Sequence, residues 1–90
     1  MLLEKELLIQ NKLGLHARAA ALLVKTANRF SSDVKIAKDR TIANGKSIMG
    51  VLTLAAAQGS SIKVSCEGPD AGDAMRAIEN LIAAKFNEGE

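Results

Sequence analysis

The spacing of apolar residues changes period repeatedly along this chain, and no other feature constrains its fold as strongly. Leu3, Lys5, Leu7 and Ile9 alternate with Glu4, Glu6 and Leu8. This period of two predicts a first strand with Leu7 and Ile9 facing inward. After "NKLG" breaks the alternation, the spacing becomes helical over residues 17–30, where Ala20, Leu23, Ala27 and Phe30 share one face. Alanine and leucine favour helix, which reinforces that assignment. Val34 and Ile36 alternate with Lys35 and Ala37, Lys38-Asp39-Arg40 reads as a turn, and residues 41–43 return, predicting a hairpin.

"SIMGVLTLAAAQG" is apolar almost throughout and predicts a second helix, capped by Ser47 and ended by Gly59 in the left-handed region. Gly50 costs about 1 kcal/mol relative to alanine and keeps this helix short. Ile62, Val64 and Cys66 point inward from a further alternating stretch. Gly68-Pro69-Asp70 opens a last helix with Ala74, Ile78, Leu81 and Ile82 buried and Asp73, Arg76, Glu79 and Asn80 in water. "NEGE", residues 87–90, is expected to be a frayed acidic tail. The order strand, helix, strand, strand, helix, strand, helix predicts an α+β sandwich, one antiparallel sheet with helices on one face. The 90 residues form a single domain, 1–90, with one modest core.

Composition removes several function classes. Phe30 and Phe86 are the only aromatic residues, too few for base-stacking platforms, and a net charge of +2 gives no basic footprint, so no nucleic-acid partner is expected. One cysteine, Cys66, excludes an internal disulfide framework and fits an intracellular, cytoplasmic protein, with Cys66 as a small buried hydrophobe. One histidine and one cysteine cannot build a zinc site, and no cofactor is expected. Glu4, Lys5 and Glu6 interrupt the N-terminal apolar run, so it is no signal peptide, and no run is long enough for membrane insertion. "GKS" at residues 45–47 ends like a phosphate-binding P-loop, but that pattern requires glycine where Arg40 stands.

The sole histidine, His16, lies in "LGLHARAA" at the start of the first predicted helix. Unpaired N–H groups and the macrodipole at such a position favour anions and disfavour an imidazolium. A neutral ring nitrogen is a nucleophile, and an anion attached to it would meet the helix N–H groups. Arg18 brings a guanidinium suited to phosphate oxygens, and Gly14 lets the backbone present the ring. This chemistry suits a histidine that accepts a phosphoryl group and gives it away. Equally, a lone histidine is commonly an ordinary surface or capping residue.

"GLHARAA" resembles the active-site motif of the HPr family, the histidine-containing phosphocarriers of the bacterial phosphoenolpyruvate-dependent phosphotransferase system, whose usual form is GLHARPA. "GKSIMGVL" resembles the family's second motif, and the resemblance covers essentially the whole chain. It implies an open-faced β-sandwich, four antiparallel strands with three helices on one face. It implies that His16 takes a phosphoryl group from enzyme I on Nδ1 and passes it to A-type domains of enzyme II, with Arg18 as the active-site arginine. Ser47 matches the serine modified by HPr kinase/phosphorylase, in addition to capping a helix. Such a protein is a stoichiometric carrier rather than an enzyme, and is expected to be monomeric. A nitrogen-branch phosphocarrier and a purely regulatory binding protein of the same fold are the alternatives; the intact "GKSIMG" favours the kinase-regulated form and His16 argues against the purely regulatory one.

Ala19 stands where the family usually has proline, and a small loss of stability with retained phosphotransfer is expected. With Val51, Leu54 and Ala55 facing the core, Ile48, Met49 and Leu52 project outward as an apolar patch beside His16. Ala17 and Ala21 extend that partner-binding surface, and Lys25 and Arg29 form its basic rim.

Overall fold

Alternating apolar side chains give four strands that share one sheet. The computed structural model describes residues 1–88; Gly89 and Glu90, the end of the expected acidic tail, lie outside the described residues. The strands are β1 (Leu2–Leu8), β2 (Asp33–Lys38), β3 (Thr41–Asn44) and β4 (Ser61–Glu67). They are antiparallel throughout, in the order β1-β4-β2-β3. The register sets Cys66 between Leu3 and Val34, Ile36 between Val64 and Ala43, and Leu7 opposite Ile62. One face is therefore apolar except for Lys5, opposite Val64, and the other carries exposed Glu4, Glu6, Lys35 and Lys63, as a half-covered antiparallel sheet requires.

Three helices cover the apolar face: α1 (Ala17–Ala27), α2 (Ile48–Leu52) and α3 (Ala71–Ala83). α3 packs on β1, β4 and α1, and α1 on α2. Ala19, Ala20 and Ala27 of α1 are fully buried, and such small side chains permit close approach between helices. Leu23, Ile36, Ile62, Val64, Ile78 and Phe86 dominate the core. The expected open-faced α+β sandwich is thus the observed fold. Asp39, at φ +55, makes the β2–β3 hairpin turn. Ala74, Ile78 and Ile82 are buried as expected from α3, joined by Met75, while Leu81 is half-buried. Glu79 does not simply face water: its carboxylate accepts from Lys5 Nζ at 3.0 Å.

Three expectations need correction. The first helix ends at Ala27 rather than Phe30, because the chain tightens into turns in which Arg29 and Phe30 N–H bond to Thr26 and Ala27 carbonyls. The second helix has five residues and stops well short of Gly59. Thr53 Oγ1 donates to the Gly50 carbonyl at 2.6 Å, Ala55 turns to φ +49, and the Ala56 carbonyl accepts from Leu15 N–H at 2.8 Å. That pairing draws the backbone away from a helical path. Gly59 is left-handed, at φ +88, but in the turn before β4. Finally, the described part of "NEGE" is held: residues Lys85–Asn87 form a turn with φ near +55 to +60, Phe86 is fully buried, and Glu88 reaches His16.

Candidate functional site

The approach to His16 is fixed residue by residue. Ile9 N–H donates to the Ser60 carbonyl at 2.9 Å and its carbonyl accepts from Gly59 N–H at 2.8 Å, so the chain leaves the sheet at a defined point. Asn11 is fully buried; its Nδ2 donates to the Gly14 carbonyl at 2.8 Å, and its carbonyl accepts from Gly14 N–H at 3.1 Å. Gly14 has φ +68, and a Cβ there would stand 2.9 Å from Ala57 Cα. Both conformation and space demand glycine.

His16 emerges as the N-cap of α1, with φ −78 and ψ 179, and its carbonyl accepts from Ala20 N–H at 2.8 Å. Its side chain is 28% exposed. Among the described residues no side chain caps this helix, and its first turn holds no acidic residue. The first-turn N–H groups therefore stay available to an anion at the helix mouth. Arg18 is exposed in that same turn. Ala19 is fully buried, Ala17 exposed and Ala21 half-buried, and Lys25 is exposed in the last turn.

The ring meets a group that the sequence reading placed in the tail. Glu88 Oε2 contacts His16 Nε2, and Glu88 Oε1 accepts from Asn11 Nδ2 at 3.2 Å. The Glu88 side chain is only 7% exposed. The hydrogen bond from His16 holds the Glu88 carboxyl below its ordinary range against its partial desolvation, and Asn11 and the charges of His16 and Arg18 act in the same direction. An ionised carboxylate only accepts, so Nε2 is the donor, and in the neutral ring with hydrogen on Nε2 the lone pair lies on Nδ1. The helix terminus is thus not the only influence on the imidazole, as the sequence argument assumed: a carboxylate faces it too. No motif around residue 88 announced this, and Asn11 read only as part of a strand-breaking loop.

Ser47 is the N-cap of α2, and its Oγ accepts from Gly50 N–H at 3.1 Å. Lys46 beside it donates from Nζ to the Phe30 carbonyl at 2.8 Å. Ile48 is 42% exposed and Met49 74% exposed, as expected of an outward patch. Leu52, the last residue of α2, is half-buried against the core instead of projecting, and Ala55 is exposed instead of inward because α2 has already ended.

Surface depressions around Glu6, Ile42 and Lys63, and around Lys35 and Asn44, lie on the open face of the sheet, opposite the helices. Among the described residues, no three His, Cys, Asp or Glu side chains converge as a metal site, and no helix is long and apolar enough to cross a membrane.

A partly exposed imidazole at an uncapped helix mouth, with one nitrogen tethered and a guanidinium in the same first turn, gives this small α+β protein a site suited to an anionic group. Residues 3–84 match the family described as "PTS HPr component phosphorylation site". The chain is 47% identical over 89 residues to the phosphocarrier protein HPr of Neisseria meningitidis, covering 99% of this chain and all of that one. It superposes on HPr-C-His from Thermoanaerobacter tengcongensis with a TM-score of 0.94 at 46% identity, over 98% of this chain and 99% of the other. An HPr dimer from the same organism is 49% identical, with a TM-score of 0.78 over 91% and 94% of the two chains. The chain belongs to the HPr family, the phosphocarrier proteins of the phosphotransferase system.

Proposed function

We propose that this chain accepts a phosphoryl group on Nδ1 of His16 from phosphorylated enzyme I and delivers it to A-type domains of enzyme II, working as a stoichiometric, monomeric carrier in the cytoplasm. The observation that carries this reading is the tethering of Nε2 by Glu88, which leaves Nδ1 as the nucleophilic nitrogen at the mouth of α1. The bound phosphoryl group meets helix N–H groups and the Arg18 guanidinium, a moderate electrostatic hold that keeps it transferable. Ile48, Met49 and Ala17 offer an exposed apolar surface for successive partners, Leu52 supports it from below, and Ala21, Lys25 and Arg29 border it.

Ser47 is the site for HPr kinase/phosphorylase in this reading. Phosphate there adds about −1.5 to −2 charges beside the docking surface, at a helix start that tolerates them without refolding. The modification then acts by electrostatic repulsion of an acidic partner.

The experiment is to mix the protein with enzyme I and labelled phosphoenolpyruvate. Acid-labile, base-stable label is expected on the wild-type chain and none on His16→Ala. Label that survives His16→Ala refutes the site. A kinase assay with Ser47→Ala as control decides the second site in the same manner.

A further inference from the structure

We infer that Glu88 is a positioning residue for phosphotransfer: its carboxylate, oriented by Asn11, keeps the proton of His16 on Nε2 throughout the cycle. The inference rests on the phosphocarrier reading and deepens it. Three groups form a short relay. Asn11 Nδ2 divides its two hydrogens between the Gly14 carbonyl at 2.8 Å and Glu88 Oε1 at 3.2 Å, and Glu88 Oε2 takes the imidazole. Asn11 is fully buried, and its Oδ1 has no hydrogen-bond partner among the described residues. A buried acceptor left unmade is costly, so the amide is held in an orientation that favours donation to Glu88 over its own full satisfaction.

The tail is built to reach this place. Lys85, Phe86 and Asn87 all take positive φ, a run that L-residues avoid and that persists only where surrounding structure over-determines it. Phe86, fully buried, anchors the turn, and the next described residue but one is the Glu88 that meets the ring. Arg18 is the other charge acting on Glu88.

The chemistry then balances without a proton transfer. The lone pair of Nδ1 attacks phosphorus, the bond from phosphorus to the donor breaks, and the donor leaves with its electron pair. The ring, carrying phosphorus on Nδ1 and hydrogen on Nε2, becomes cationic, and the Glu88 carboxylate faces that charge. When an acceptor attacks, the N–P bond breaks, its electron pair returns to Nδ1, and neutral imidazole leaves. Without hydrogen on Nε2 the leaving group would be imidazolate, a far poorer one. Glu88 thus keeps the phosphoryl group transferable from both directions.

The test reads nitrogen-15 and proton spectra of the imidazole in the unphosphorylated protein, then the rate of label transfer from enzyme I. Wild type is expected to show one pyrrole-type nitrogen, Nε2, with an exchange-protected proton near neutral pH. In Glu88→Ala that proton is lost to water exchange and transfer slows on the order of tenfold, as for a lost hydrogen bond to a charged group. The backbone amide spectrum of the variant reports that the domain is folded. A protected Nε2 proton in Glu88→Ala, or a transfer rate equal to wild type, overturns the proposal. Failure of the wild-type chain to take label refutes the phosphocarrier reading instead, and the spectrum of the unphosphorylated ring still judges Glu88.

Discussion

Asp70 and Ser32 are joined twice: one carboxylate oxygen accepts from the Ser32 backbone N–H at 2.9 Å and from its hydroxyl at 2.5 Å. The other oxygen accepts from the Ser31 N–H at 2.9 Å and from its hydroxyl at 3.3 Å. Asp70 is the N-cap of α3 but sends its side chain away from that helix, pinning the loop between α1 and β2 to the loop between β4 and α3. The Ser32 hydroxyl, then the Ser31 N–H, hold its carboxyl down at about 2, from an ordinary 3.8.

Acid sensitivity follows from that link. A carboxyl whose folded value is depressed contributes stability above its unfolded value and loses it as pH falls through the folded one. The contribution of Asp70 is therefore intact above about pH 4 and is withdrawn on going down to about pH 2. Denaturant midpoints measured across that interval are expected to fall more steeply for wild type than for Asp70→Asn. Parallel curves would show that the four hydrogen bonds contribute nothing to pH dependence.

Ala19 is the third residue of α1, where a backbone N–H has no partner within the helix. Proline there removes an unpaired donor and narrows the unfolded ensemble. Ala19→Pro is expected to gain about 0.4–1 kcal/mol, read as a rise of roughly 2–8 °C in Tm, with labelling of His16 retained. A lower Tm would mean that the local backbone does not accommodate the ring.

Ser47 caps a helix of only five residues, which has few other bonds to define its start. Ser47→Ala is expected to cost about 1 kcal/mol by chemical denaturation, while phosphoryl transfer through His16 proceeds. Unchanged stability would show that water replaces the hydroxyl at Gly50 N–H without loss.

How much of this was legible depended on whether one local signal decided each segment. Val34 with Ile36, and Ile62, Val64 and Cys66, read as half-buried strands because alternation is imposed by the pleat itself. Gly14 and His16 were legible because a helix mouth has one chemistry wherever it occurs. The end of α2 was not, since the apolar run at 51–57 looks helical until the Ala56 carbonyl is claimed by Leu15. Neither was Glu88: a left-handed turn built without glycine carries no sequence signature, and its partners Asn11 and His16 lie more than seventy positions away. Tertiary contacts overrode local preference in both places.

Met49, 74% exposed, is the most exposed large apolar side chain among the described residues after Met1. Met49→Ala is expected to leave stability within about 0.5 kcal/mol. If the patch is the docking surface, transfer from enzyme I slows several-fold at low partner concentration and recovers at saturation. Equal rates at every concentration would remove Met49 from the interface.

Phe86 carries the largest fully buried side chain among the described residues, only two residues from Glu88. Its burial offsets the unfavourable positive φ of Lys85, Phe86 and Asn87, each of which costs about 1–2 kcal/mol in an L-residue. Phe86→Ala removes that anchor and leaves a cavity beneath α3, at a cost of about 3–5 kcal/mol. Such a loss is a large part of the roughly 5–15 kcal/mol available to a domain of this kind. The turn relaxes once its anchor is gone, and the carboxylate of Glu88 then has no fixed approach to the imidazole. Denaturant titration should therefore show the loss of stability, and the imidazole spectrum of the fraction still folded should show Nε2 open to exchange. A destabilised Phe86→Ala that kept a protected Nε2 proton would mean that Asn11 alone holds Glu88 in place, and that the buried ring serves the core and not the site.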